Sequence, residues 1–149
     1  MKRVLVFIGF LILMALCANS LQAQDLRDSW GNKIGQVKSD GYVHDQWGNK
    51  IGQVEKDGDI HDQWGNKIGK VESDGYIHDQ WGNIIGHVDS DGDVFDQWGN
   101  KIGKVDKDGY AFDQWGNLIG SAEGVDRKIV AVIVHNVIVE NSYFHAANL

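Results

Sequence analysis

This sequence predicts an all-β protein, a closed ring of six short β-hairpin units with an apolar C-terminal extension. Three observations predict it. Trp30, Trp47, Trp64, Trp81, Trp98 and Trp115 recur every 17 residues without a slip. Each copy carries two turn signals, Trp-Gly-Asn and Asp-Gly, separated by stretches as short as Lys50–Val54 and Asp59–Gln63. Proline is absent and there are 19 glycines, so strands run uninterrupted and turns reach positive φ. A fixed period means that one small unit was copied, each copy burying its apolar face against its neighbours.

The chain opens on a leader. Lys2 and Arg3 precede an apolar run, Val4 to Ala18, too short and too poorly flanked for a stable membrane span, and Asn19-Ser20-Leu21-Gln22-Ala23 supplies a cleavage region. Residues 1–23 therefore read as a signal peptide cut after Ala23, which sends the protein to the periplasm or outside the cell. Cys17, the only cysteine, lies inside this leader. Leu16 just before it and Met14 two places further up are poor company for a lipidation site. The mature chain lacks cysteine, so neither disulfides nor thiolate metal sites stabilise it. Without Lys2 and Arg3 it has 12 basic residues against 21 acidic, a net charge of −9. That balance excludes nucleic acid and an anionic membrane surface as partners, leaving membrane contact to the leader before cleavage.

Residues 24–124 hold the repeat. Asp-Gly at 40–41, 57–58, 74–75, 91–92 and 108–109 signals two-residue hairpin turns. Trp-Gly-Asn supplies a second reversal, and the Ile- and Val-rich segments between are strands by propensity. Leu26, Val43, Ile60, Ile77, Val94 and Ala111 stand four residues before the tryptophans, and Ile34, Ile51, Ile68, Ile85, Ile102 and Ile119 four after. Six complete units thus run from about Asp25 to Glu123, and a whole number favours a closed ring over an open stack needing caps. A two-residue turn at Asp40-Gly41 pairs Lys38 with Val43, Gln36 with Asp45 and Ile34 with Trp47, and on the other face Ser39 with Tyr42 and Val37 with His44. Ile34, Val43 and Trp47 then share a buried face. Gly35, Gly52, Gly69, Gly86, Gly103 and Gly120 read as places where an indole or a neighbouring backbone presses against the strand.

Tandem units of the form Asp-x-x-Gly-Asn-x-Ile-Gly-x-Val-x-x-Asp-Gly resemble the small bacterial β-flower domains, in which short hairpins radiate like petals about a pseudo-symmetry axis. The similarity covers about 26–123. The familiar members resemble a four-petal ring, and this chain has six units. The resemblance implies a fold and brings neither an activity nor site residues.

Residues 125–149 form an apolar extension expected to pack on or cap the ring. Ile129-Val130-Ala131-Val132-Ile133-Val134 and Val137-Ile138-Val139, interrupted by His135 and Asn136, are strand by propensity. After Asp126-Arg127-Lys128 they read equally as the start of a helix over one end. Exposed, the segment would aggregate, so it is covered or self-associating.

Each candidate site has a functional and a structural reading. Asp28, Asp45, Asp62, Asp79, Asp96 and Asp113 precede the tryptophans by two residues. Converging, they would bind a hard cation such as Ca²⁺, with Asp45, Asp62, Asp79 and Asp96 the leading candidates. Accepting hydrogen bonds from turn amides is the favoured alternative. Asp89-Ser90-Asp91-Gly92-Asp93 looks like the head of a calcium loop, but Asn100 stands where the closing glutamate belongs. His44, His61 and His78 would suit Zn²⁺ only if they converged, and Arg27, Phe95 and Phe112 in the same register favour packing. His87 and His145 have no evident partners. The tryptophans are either sugar-stacking indoles or packing residues, and their presence in every copy favours packing. Tyr42, Asp59, Tyr76, Asp93 and Tyr110, which vary after the Asp-Gly turns, form the preferred contact surface. No catalytic constellation stands apart from the repeat, and no cofactor is implied. The expected function is a secreted, non-enzymatic structural or interaction module. Its partner is an extracytoplasmic protein or glycan, with self-association through the tail a further route. The alternative is a glycan- or Ca²⁺-binding module.

Overall fold

Residues 23–135 are described by the structure, a computed structural model. The expected leader up to Gln22, with Cys17, and the tail from Asn136, with His145, lie outside the described residues. The strands are β1 (Gln24–Asp28), β2 (Lys33–Val37), β3 (Tyr42–Asp45), β4 (Lys50–Val54), β5 (Asp59–Asp62) and β6 (Lys67–Val71). The second half adds β7 (Tyr76–Asp79), β8 (Ile84–Val88), β9 (Asp93–Asp96), β10 (Lys101–Val105), β11 (Tyr110–Asp113) and β12 (Leu118–Ser121). Each pairs antiparallel with its sequence neighbours, and β1 pairs with β12 through Arg27–Ser121 and Asp28–Gly120, closing a twelve-stranded barrel. Closure removes the free sheet edges that would otherwise recruit other strands. Strands of four or five residues fall well short of the 9–11 that cross a bilayer.

The register differs from expectation by one residue, because the Asp-Gly loop has three residues rather than two. The Lys38 N–H donates to the Tyr42 carbonyl (2.8 Å) and the Gly41 N–H to the Lys38 carbonyl (2.9 Å). Gly41 closes the loop at φ 86°, the pattern of a three-residue hairpin ending in a left-handed residue. Val37 therefore faces Val43, Gln36 faces His44 and Gly35 faces Asp45. A one-residue slip moves every side chain to the other face. Val37 goes into the core, while Trp47 lies beyond the end of β3 in the Trp-Gly-Asn turn and is exposed.

The interior is built from two repeated series. Leu26, Val43, Ile60, Ile77, Val94 and Ala111 are fully buried, as are Val105 and Ala122 of the second series, whose other members Val37, Val54, Val71 and Val88 are nearly so. The isoleucines expected beside them, Ile34 and its equivalents, are only half-buried against this core. A bulge accounts for it: Leu26 pairs with Gly35 but Arg27 with Lys33, so Ile34 drops out of the ladder.

A helix, α1 (Arg127–Val134), settles the state of the tail as far as His135. The Asp126 carboxylate caps it, accepting from the Lys128 N–H at 2.8 Å. Val130, Ala131, Val132 and Ile133 are all at most 2% exposed. Four consecutive helical residues point in every direction around the axis, so the helix is enclosed rather than laid on a surface. It lies inside the barrel against β10, β11 and β12. A Cβ on inward-facing Gly103 would overlap His135, and one on Gly120 would come 3.3 Å from Val134. The dimensions agree: eight helical residues reach about 12 Å, close to the roughly 13–17 Å of the strands. Ala111 and Ala122, where other copies have larger residues, sit on the wall the helix lines. As far as His135, the extension thus plugs the ring instead of capping one end. Its first turn sits at the Asp-Gly end, where Arg127 donates to the Ser90 carbonyl (2.8 Å) and Lys128 to that of Ser73 (3.3 Å). Its last residues reach toward the other end, where His135 Nε2 lies 2.8 Å from the Phe112 carbonyl.

Candidate functional site at the tryptophan rim

All six Trp-Gly-Asn turns project from the end of the barrel opposite the Asp-Gly loops, and one turn serves as the pattern. The Asp45 N–H donates to the Asn49 carbonyl (2.9 Å) and the Gly48 N–H to the Asp45 carbonyl (3.1 Å), with Gly48 at φ 87°. One oxygen of the Asp45 carboxylate accepts the N–H groups of Trp47 (2.9 Å) and Asn49 (2.8 Å), and the other accepts the Asn49 side-chain amide (2.9 Å). The same three bonds recur at Asp28, Asp62, Asp79, Asp96 and Asp113.

These bonds favour the charged form, and all six carboxyls titrate below the ordinary aspartate value. At Asp28, Asp79, Asp96 and Asp113 the amide of the following asparagine is the largest cause. At Asp45 and Asp62 partial burial pushes upward most strongly, and the combined turn donors outweigh it. The aspartates are committed locally and do not converge. Among the described residues no group of three histidines or carboxylates is placed to hold a metal ion. The Asp89 carboxylate is likewise used at home, accepting the N–H groups of Asp91 and Asp93 at 2.9 Å.

His44, His61 and His78 stand on the outer wall on β3, β5 and β7, with a strand between each pair. Neither they nor any other three His, Cys, Asp or Glu side chains among the described residues are grouped to hold a metal ion. The structure does not bring them together. His87 stacks between Tyr76 (4.3 Å between centroids) and Phe95 (6.1 Å).

The surface expected after the Asp-Gly turns lies on the same wall and is engaged with its own neighbours. Asp59 and Asp93 pair with Lys67 (2.8 Å) and Lys101 (2.9 Å). Lys50 sits 4.5 Å over the Tyr42 ring, and the Tyr110 hydroxyl donates to Glu123 (2.8 Å). Asp25, paired with Lys33 at 2.8 Å, is the first member of this series and escaped the sequence reading. With it the wall alternates Asp and Tyr, a three-fold pattern laid over six units.

The tryptophans are where expectation and structure part. They are 62% to 85% exposed and line the rim rather than the core. Gly-Asn after each indole and Gln before five of the six were the available signals, since both belong to a solvent-facing turn. A family model described as 5-fold beta-flower protein matches residues 23–137. No curated protein and no solved structure matches the chain.

Proposed function

The chain belongs to the 5-fold beta-flower protein family, and from that premise, which supplies a scaffold and no chemistry, we propose a secreted or periplasmic, non-enzymatic interaction module whose working face is the tryptophan rim. We read it as a six-hairpin member of that family. One observation carries the proposal: the indole is invariant in all six copies although it stands mostly exposed at a turn tip, outside the core. The Asp, Gly and Asn of each turn have visible duties in its hydrogen bonds. A mostly exposed indole contributes little to folding.

Recent copying does not explain the invariance. Other positions have diverged in the same six copies: Gln36, Gln53, Lys70, His87, Lys104 and Ser121 share one place, and His, Phe and Arg another. Even buried positions vary, from Ile60 to Ala111. Six exposed indoles kept while the wall and core drift are a contact surface. The pattern also argues against catalysis, which needs unlike residues in unlike roles.

The test is binding to a bacterial cell-envelope fraction by wild type and by the triple variant Trp47→Ala/Trp81→Ala/Trp115→Ala. Circular dichroism and the urea midpoint should be unchanged in the variant, and co-sedimentation should be lost. Equal binding by the two proteins, or a collapsed fold in the variant, would overturn the proposal.

A further inference from the structure

We infer that the rim binds an uncharged polysaccharide, its sugar rings stacking on the indoles and its hydroxyls meeting the flanking amides. This inference rests on the rim being the working face. The chemistry follows from what the turns present. Around Trp47 the exposed side chains are those of Gln46 and Asn49, and the pattern repeats at Gln80-Trp81 with Asn83 and at Gln97-Trp98 with Asn100. A flat apolar ring beside uncharged amides complements a pyranose, which has an apolar C–H face and a polar edge. Each asparagine amide is held by its aspartate, at 2.9–3.0 Å in those three turns, so the amide is fixed before any ligand arrives.

Charge excludes the competing ligands. A carboxylate stands behind every indole. The lysines that follow the turns at Lys33, Lys67 and Lys101 are paired with Asp25, Asp59 and Asp93, and Lys50 lies over Tyr42. The two remaining turns carry Ile84 and Leu118 in that place. The rim therefore offers carboxylates without compensating free cations from these positions, which disfavours phosphate- or uronate-bearing polymers and anionic lipid. A neutral bilayer is disfavoured as well, because seating the indoles in it would strip water from the interleaved Gln and Asn groups. Six equivalent turns on a closed ring match a polymer that repeats, where linked weak contacts multiply.

The experiment is affinity electrophoresis of the purified protein in gels containing neutral glucan, mannan or N-acetylglucosamine polymer. Polygalacturonate gels and sedimentation with phosphatidylcholine or phosphatidylglycerol vesicles complete the panel. Retention by at least one neutral polysaccharide is expected. Trp81→Ala should weaken it about 3- to 10-fold, and the triple variant Trp47→Ala/Trp81→Ala/Trp115→Ala should weaken it more than about 100-fold. Lys107→Ala, in an Asp-Gly loop at the far end, should leave it unchanged. No retention by any neutral polysaccharide, or binding only to polygalacturonate or vesicles, overturns the sugar assignment. If the envelope binding described above still depends on the tryptophans in that case, the rim survives as the working face. Full retention of the triple variant on a neutral polysaccharide removes both.

Discussion

Within each unit, the single residues divide by whether the barrel needs them. Gly35 shows the need most directly, since a Cβ there would overlap the carbonyl oxygen of His44 on the adjacent strand. Gly69 holds the same place in its copy, buried and paired with Ile60 and Asp79. Gly35→Val and Gly69→Val should each destabilise by about 1–3 kcal/mol through overpacking, despite valine's better strand propensity. Lys70→Val, on the outer wall, should stay within about ±0.5 kcal/mol. Urea midpoints in one buffer compare them, and equal midpoints for Gly69→Val and Lys70→Val would remove the close approach as the reason for glycine. The sequence made this contact legible because an unexplained glycine in a strand has few physical causes. It made the aspartates legible too, since a carboxylate two residues before a turn has donors within reach. The tryptophans were not legible in that way. A large hydrophobe repeated six times signals burial by composition, and only the turn geometry puts it at a tip.

At the scale of the element, loop length decided what propensity could not. Asp-Gly marks a reversal reliably, but the number of loop residues depends on which N–H closes it. The closing bond from Gly41 to Lys38 makes a three-residue loop, and every facing pair moves with it. Both reversals of the unit turn out to be one device, closed by Gly41 in one case and Gly48 in the other at nearly equal φ, 86° and 87°. They differ in surroundings. A Cβ on Gly48 would meet nothing within 4 Å, whereas one on Gly41 would overlap the Val54 carbonyl oxygen. Gly48→Ala should therefore cost only the left-handed strain, about 1–2 kcal/mol. Gly41→Ala should cost that plus about 1–3 kcal/mol of displaced backbone. Thermal melts of the two variants check the difference. Equal losses would mean that the Asp-Gly loop does not press on β4 as described.

For the whole molecule, the plugged barrel explains why the apolar segment 129–134 is part of the fold. Twelve short strands enclose a bore too wide for their own side chains, and α1 fills it. The number of units was legible from the period, but the bore and its occupant were not, because β-branched residues read as strand until a surrounding wall makes a helix the better fit. Filling the bore places His135 against the Phe112 carbonyl, and this has a pH consequence. Burial depresses the His135 pKa most strongly, against the opposing pull of the Phe112 carbonyl and the Asp113 charge. In the unfolded chain it titrates near the ordinary value of about 6.5. Between the depressed folded value and 6.5 the unfolded state binds more protons, so stability rises with pH across that window. The contribution is complete above about pH 6.5 and is lost as pH falls below it, well before the rim aspartates protonate. His44 is shifted the same way, chiefly by burial, so the two must be separated. Melting temperature measured from pH 8 to pH 5 should fall in wild type. The fall should be much shallower in His135→Gln, which keeps a donor for Phe112 without a titrating ring, and less altered in His44→Gln. An unchanged pH slope in His135→Gln would mean that the end of the helix is not held in the bore.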